Sequence, residues 1–132
     1  MSGVLGVGVD ILRVDTIAPS VARPDDPCVR RIDSPAEQAL IRGRDIPLYS
    51  YATRFAGKEA VFKAFGVDGD AFRLNDIEIL ETDFGQPVVT LRGKAAALAA
   101  EKGISSVLLS LSYDTDYAVA YATALGEAPA PR

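Results

Sequence analysis

Asp10, Glu59 and Lys63 are the side chains of this sequence whose types and spacing point to chemistry. Asp10 ends an otherwise apolar run, Gly6-Val7-Gly8-Val9-Asp10-Ile11, where a carboxylate is unexpected unless something holds it. Glu59 lies on or beside the apolar stripe of a helical segment (Tyr51, Phe55, Phe62, Phe65), and a carboxylate facing a core is costly unless it is paired or metal-bound. Lys63 follows one turn later, about 40° round the helix and within reach of the same ligand. Each has a plain structural alternative: Asp10 as the cap of a following helix, Glu59 and Lys63 as an exposed helical ion pair. Arg54 and Lys58 repeat the same i,i+4 spacing with two cations, the pattern of a solvated face. Two carboxylates from separate elements beside Lys and Arg suit a Mg²⁺–diphosphate site. That ion takes one or two protein carboxylates and completes its shell with water and phosphate oxygens.

Composition narrows the chemistry further. The 132 residues contain no histidine and a single cysteine, Cys28. Ser-His-Asp and Cys-His nucleophilic sites, His-containing zinc sites and thiolate cages are thereby excluded, as is an intrachain disulfide. Any metal must be oxygen-ligated, and proton transfer falls to carboxylates, Lys or Tyr. A net charge of −4 argues against sequence-independent nucleic-acid binding. The balance is uneven: 9 Lys+Arg against 8 Asp+Glu through Gly66, then 5 against 10, so a basic patch for an acidic partner belongs to the first half. Gly6 and Gly8 let a backbone or a ligand come close, but the third glycine of a dinucleotide motif is missing. No signal peptide opens the sequence, and its apolar stretches fall short of the ~20 residues of a membrane helix. The expectation is a cytoplasmic protein.

The elements that must position these residues read as α+β, a largely antiparallel sheet packed against one long helix plus shorter helices. Residues 4–11 predict a buried first strand ending at Asp10, followed by a short helix from about Leu12 that Pro19 and the Pro24–Pro27 stretch stop. Ser34, Pro35 and Glu37 mark a helix start, with its end near Gly43. The long helix runs from about Pro47 to Phe65 and stops at Gly66. Asp76–Leu80 and Pro87–Leu91 predict a hairpin around residues 83–86. Gly93–Lys102 predicts an Ala-rich helix closed by Gly103, and Ser105–Ser112 with Tyr117–Ala124 a second strand pair. Residues 1–125 form one domain in this reading, and 126–132 a mobile tail.

Two stretches carry a resemblance to a family. The Gly6–Ile11 strand is similar to the opening strand of bacterial holo-acyl-carrier-protein synthases. Arg54-Phe55-Ala56-Gly57-Lys58-Glu59-Ala60-Val61-Phe62-Lys63-Ala64-Phe65-Gly66 resembles their signature helix. Asp76–Ile79, Gly85-Gln86-Pro87 and Ser110-Leu111-Ser112 match later landmarks in order, and the length matches the short, single-repeat type of 4′-phosphopantetheinyl transferase. The resemblance implies that fold, and transfer of the 4′-phosphopantetheine arm of coenzyme A to a serine of an apo acyl carrier protein, with 3′,5′-ADP released. It implies Asp10 and Glu59 as Mg²⁺ ligands and Lys63 as the group meeting the transferred phosphate. Arg54 and Lys58 line the coenzyme A side, near Gly66, Pro87, Ser110 and Tyr113. The serine proton goes to Glu59 or to a metal-bound water. The family is a homotrimer with sites between subunits, so the site residues of one centre can come from neighbouring chains.

Two positions depart from the family. Tyr113 stands where most members have His, and a phenol with a reference pKa of about 10 cannot switch charge near neutrality. Thr16 stands where many carry an Arg that grips the carrier; Arg13, Arg23, Arg30 and Arg31 are the cations left for that surface. These departures keep open a carrier- or nucleotide-binding module that has lost transfer, and a Mg²⁺-dependent nucleotide-diphosphate hydrolase is a third reading.

Overall fold

The computed structural model describes residues 3–23 and 26–130. Strand β1 (Gly3–Arg13) is followed by helices α1 (Val14–Val21), α2 (Pro27–Ile32), α3 (Pro35–Arg42) and α4 (Pro47–Phe65). A 3-10 turn at Leu74–Asp76 leads into strands β2 (Ile77–Glu81) and β3 (Pro87–Leu91), then helix α5 (Gly93–Lys102) and strands β4 (Ile104–Tyr113) and β5 (Tyr117–Gly126). The strands form two antiparallel sheets, β1-β5-β4 and the hairpin β2-β3. No helix among the described residues is long and apolar enough to cross a membrane.

The helices begin and end where local chemistry dictates. Ser34 caps α3 by accepting from the Glu37 N–H while Glu37 accepts from the Ser34 N–H, so two unpaired donors of the first turn are satisfied reciprocally. Pro47 opens α4 in the first turn, and Gly66 closes it in the left-handed region at φ +71°, which favours glycine.

The long helix sits unusually close to the sheet because both surfaces are made of small residues. On β5 every second residue is a buried alanine (Ala118, Ala120, Ala122, Ala124), and α4 answers with Ala52, Ala56, Ala60 and Ala64. On β1 a Cβ at Gly6 would lie 1.9 Å from the Ala64 carbonyl oxygen, and one at Gly8 2.1 Å from that of Ala60. Here the two glycines admit the backbone of the helix. Aromatic and branched side chains (Phe62, Phe65, Phe72, Ile77, Ile79) fill the core toward β2 and α5. A second apolar cluster, with Tyr51 and Ile17, fixes α1 against the start of α4.

Four expectations change. β1 runs past Asp10 to Arg13, because Leu12 and Arg13 still pair with Ala118 and Tyr117. Nor is it buried: it is an edge strand whose odd-numbered side chains face outward, Val9 53 % and Ile11 66 % exposed. Helix α1 carries Pro19 within it and continues to Val21. The expected tail begins later than 126, since β5 includes buried Gly126 and the Glu127 N–H donates to the Gly103 carbonyl. Pro24 and Asp25 of the expected helix stop, and 131–132 of the tail, lie outside the described residues.

Candidate active site

The close helix–strand contact brings Asp10, Glu59 and Lys63 to one patch. Asp10 shares its face of β1 with Gly6 and Gly8, opposite buried Ala120, and so looks toward α4. Lys63 reaches it across that seam, its Nζ 3.2 Å from Asp10 Oδ1 and donating to the Val9 carbonyl at 2.9 Å. Asp10 is therefore tied to α4 and is not a helix cap; Arg13 occupies the N-cap of α1. Glu59, one turn before Lys63 and half-buried, has its carboxyl held above the usual range by burial first and by the charge of Asp10 second, with Lys63 partly offsetting both. A shared electrostatic field thus joins the three groups within one chain. The two carboxylates are hard oxygen donors of the type a divalent cation takes. Among the described residues no group of three or more His, Cys, Asp or Glu is arranged to hold a metal. Beside Glu59 opens a cavity of about 930 Å³ whose wall includes Arg31, Phe62, Phe72, Arg73 and Lys94.

Arg54, Pro87 and Tyr113 meet elsewhere, around a cavity of about 580 Å³ shared with Arg44, Tyr49 and Glu81. Arg54 is nearly buried. Its Nε donates to the Ile79 carbonyl at 3.1 Å, one terminal nitrogen to the Ser50 carbonyl at 3.3 Å, and the other to Glu81 Oε2 at 3.2 Å. Glu81 Oε1 also accepts from Arg44. Tyr113 stacks on Tyr49 with ring centroids 4.5 Å apart. Pro87 opens β3 opposite Glu81.

The remaining expected contacts are placed apart. Gly66 is the exposed cap of α4, its N–H bonded to the Lys63 carbonyl. Ser110 lies on the outward face of β4 opposite Tyr121. Lys58 is a correction: it is 0 % exposed and lines neither cavity, nor is it the solvated partner of Arg54. Its Nζ contacts Glu37 Oε1 at 2.8 Å, Asp33 Oδ1 at 3.1 Å and the Ile32 carbonyl. Glu37 in turn accepts from the Ile79 N–H at 2.9 Å, so this network pins the α2–α3 corner to α4 and β2. The sequence reading missed Arg44, Tyr49 and Glu81 of the second cavity and Asp33 of the network. Glu81 falls out of phase with the Asp76–Ile79 alternation, so like Arg44 and Tyr49 it acquires its role through tertiary contact.

Comparison with known proteins shows the family. Residues 6–122 match the family model of the 4′-phosphopantetheinyl transferase superfamily. The holo-[acyl-carrier-protein] synthase of Desulforudis audaxviator is 43% identical over 129 residues, covering 98% of both chains. Among solved structures, the holo-ACP-synthase of Plasmodium yoelii superposes with a TM-score of 0.83 at 31% identity, covering 96% of this chain and 98% of that one. A Chronobacterium ammoniagenes ACPS-CoA complex does so at 0.79 and 29%, covering 92% and 97%. Sequence and fold agree over nearly the whole length, and the chain belongs to the 4′-phosphopantetheinyl transferase superfamily, among its holo-acyl-carrier-protein synthases.

Proposed function

We propose that this chain transfers the 4′-phosphopantetheine group of coenzyme A to a serine of an apo acyl carrier protein, releasing 3′,5′-ADP, with Mg²⁺ held by Asp10 and Glu59. The observation that carries the reading is the convergence of Asp10, Glu59 and Lys63 in a chain of this family. The donor set fits the ion: two oxygen ligands leave the rest of an octahedron to water and substrate. When bound, Mg²⁺ supplies charge neutralisation across the diphosphate. The serine Oγ attacks the β-phosphorus as the bond to 3′,5′-ADP breaks. Lys63, already directed at Asp10, meets the phosphate in transfer and offsets the charge building on the leaving oxygen. The serine proton passes to Glu59 or to a water held beside it.

Arg54, Pro87 and Tyr113 supply the other end of the coenzyme. Within one chain they lie toward β4, whereas Asp10 lies on β1, the opposite edge of the three-stranded sheet. A head-to-tail ring in which the β4 edge of one copy meets the β1 edge of the next joins the two halves, and the homotrimer implied by the family is such a ring. On the outward face of the sheet Val7, Val9, Ile11, Leu108 and Tyr121 are exposed, an apolar surface that neighbouring copies would bury. The acidic carrier docks at the exposed Arg13, Arg23, Arg30 and Arg31, of which Arg31 also borders the cavity beside Glu59. The setting is the cytoplasm.

Incubation with Mg²⁺, coenzyme A and apo carriers of fatty-acid, polyketide and peptide-synthesis type tests the reading by intact mass. One added arm on the carrier serine is expected. No gain with any carrier sinks it: binding without gain then identifies a module that has lost transfer, and coenzyme A cleavage without carrier identifies a hydrolase.

A further inference from the structure

The second cavity already contains an anion. Glu81, at the end of β2, is held by Arg44 through one carboxylate oxygen and by Arg54 through the other. Arg54 is fixed independently by the Ile79 and Ser50 carbonyls, so its position does not depend on Glu81. The Glu81 side chain lines the cavity and is 24% exposed, so it reaches solvent. Around it stand two guanidinium groups, the stacked rings of Tyr49 and Tyr113, and the ring of Pro87. Guanidinium pairs favour phosphate over carboxylate because a phosphomonoester brings up to two charges and three acceptor oxygens. Coenzyme A carries one diphosphate, which the metal half takes, and one isolated phosphomonoester on its ribose.

We propose that Glu81 is a resident stand-in for that phosphomonoester: it neutralises Arg44 and Arg54 until the coenzyme's 3′-phosphate displaces it on entry. Glu81 thereby sets how strongly the protein prefers the 3′-phosphorylated coenzyme over its dephospho form. The inference rests on the transferase reading for the identity of the ligand.

Calorimetric binding of 3′,5′-ADP and of 5′-AMP, which differ only in the 3′-phosphate, tests it on the wild type, Glu81→Gln and Arg44→Ala. Removing a partly exposed competing charge pair, worth up to about 1 kcal/mol, should tighten 3′,5′-ADP about fivefold in Glu81→Gln while leaving 5′-AMP unchanged. Arg44→Ala should weaken 3′,5′-ADP about tenfold or more and leave 5′-AMP unchanged, as expected for a lost charged hydrogen bond. In transfer assays the ratio of KM for dephospho-coenzyme A to KM for coenzyme A should rise in Glu81→Gln and fall in Arg44→Ala. A Glu81→Gln protein that binds both nucleotides more weakly, with a lowered Tm, would make Glu81 a structural strut and overturn the proposal. Unchanged binding of both overturns it as well, as does a wild type that does not distinguish the two nucleotides. If the wild type transfers the arm and these ratios do not move, only this inference fails. If no carrier is modified, the transferase reading fails and the nucleotide pair still decides the role of Glu81.

Discussion

Lys58 and Lys63 project from neighbouring turns of α4 into opposite surroundings, one sealed between carboxylates and the other open to solvent beside Asp10. A lysine with 0% exposure survives only with compensation, and Asp33 and Glu37 provide it. Lys58→Met leaves two carboxylates buried without their cation and should cost about 3–5 kcal/mol in chemical unfolding. Of the two acids, Asp33 is the poorly served one: neither oxygen has a hydrogen-bond partner of good geometry among the described residues. Burial pushes its pKa up to about 6 despite Lys58. The folded state therefore holds the Asp33 proton more tightly than the unfolded chain, with its ordinary value of 3.8. The stabilisation is complete below about pH 4 and is lost as pH rises through about 6, a difference of up to about 3 kcal/mol. Asp33→Asn should accordingly raise Tm at pH 7.5 and change it little at pH 4. Equal shifts at both pH values would contradict this origin. In the sequence, Lys58 looked like half of a solvated pair with Arg54, because spacing along a helix says nothing of the corner packed against it. Glu59 and Lys63 were legible as a pair, but Lys63 reaches Asp10, a partner on another element.

The seam between α4 and β1 is where the fold makes the site possible. Gly6 and Gly8 remove the atoms that would hold the helix off, and the approach places Glu59 and Lys63 over Asp10. Gly8→Val would drive a side chain into the Ala60 carbonyl and Ala64 amide, backbone atoms that cannot rotate away. It should cost more than the about 1–3 kcal/mol of ordinary overpacking, read as a lower urea midpoint. At this scale much was legible: the capping box at Ser34, the glycine stops at Gly66 and Gly103, and the β2–β3 hairpin lie where local signals put them. What was not legible was non-local. Pairing with Ala118 and Tyr117 carries β1 beyond Asp10, and an apolar strand facing solvent has the same sequence as a buried one.

For the molecule as a whole, the exposed apolar outward face of β1-β5-β4 is the surface that the proposed ring would bury. Val9 and Tyr121 are register partners at the centre of that face, 53% and 47% exposed. Val9→Asp should yield a folded monomer by analytical ultracentrifugation and reduce transfer by at least tenfold, because each chain would retain only half of a centre. A fully active monomer would separate assembly from catalysis. The whole account turns on Asp10 and Glu59 gripping one ion against the substrate's phosphates. The Mg²⁺ dependence of arm transfer, followed by intact mass for the wild type, Asp10→Asn and Glu59→Gln, addresses that directly. The expected result is a saturable Mg²⁺ requirement in the wild type and a loss of at least a hundredfold in both variants, equivalent to about 2.7 kcal/mol. Transfer by either variant at the wild-type rate and the wild-type Mg²⁺ midpoint would contradict it.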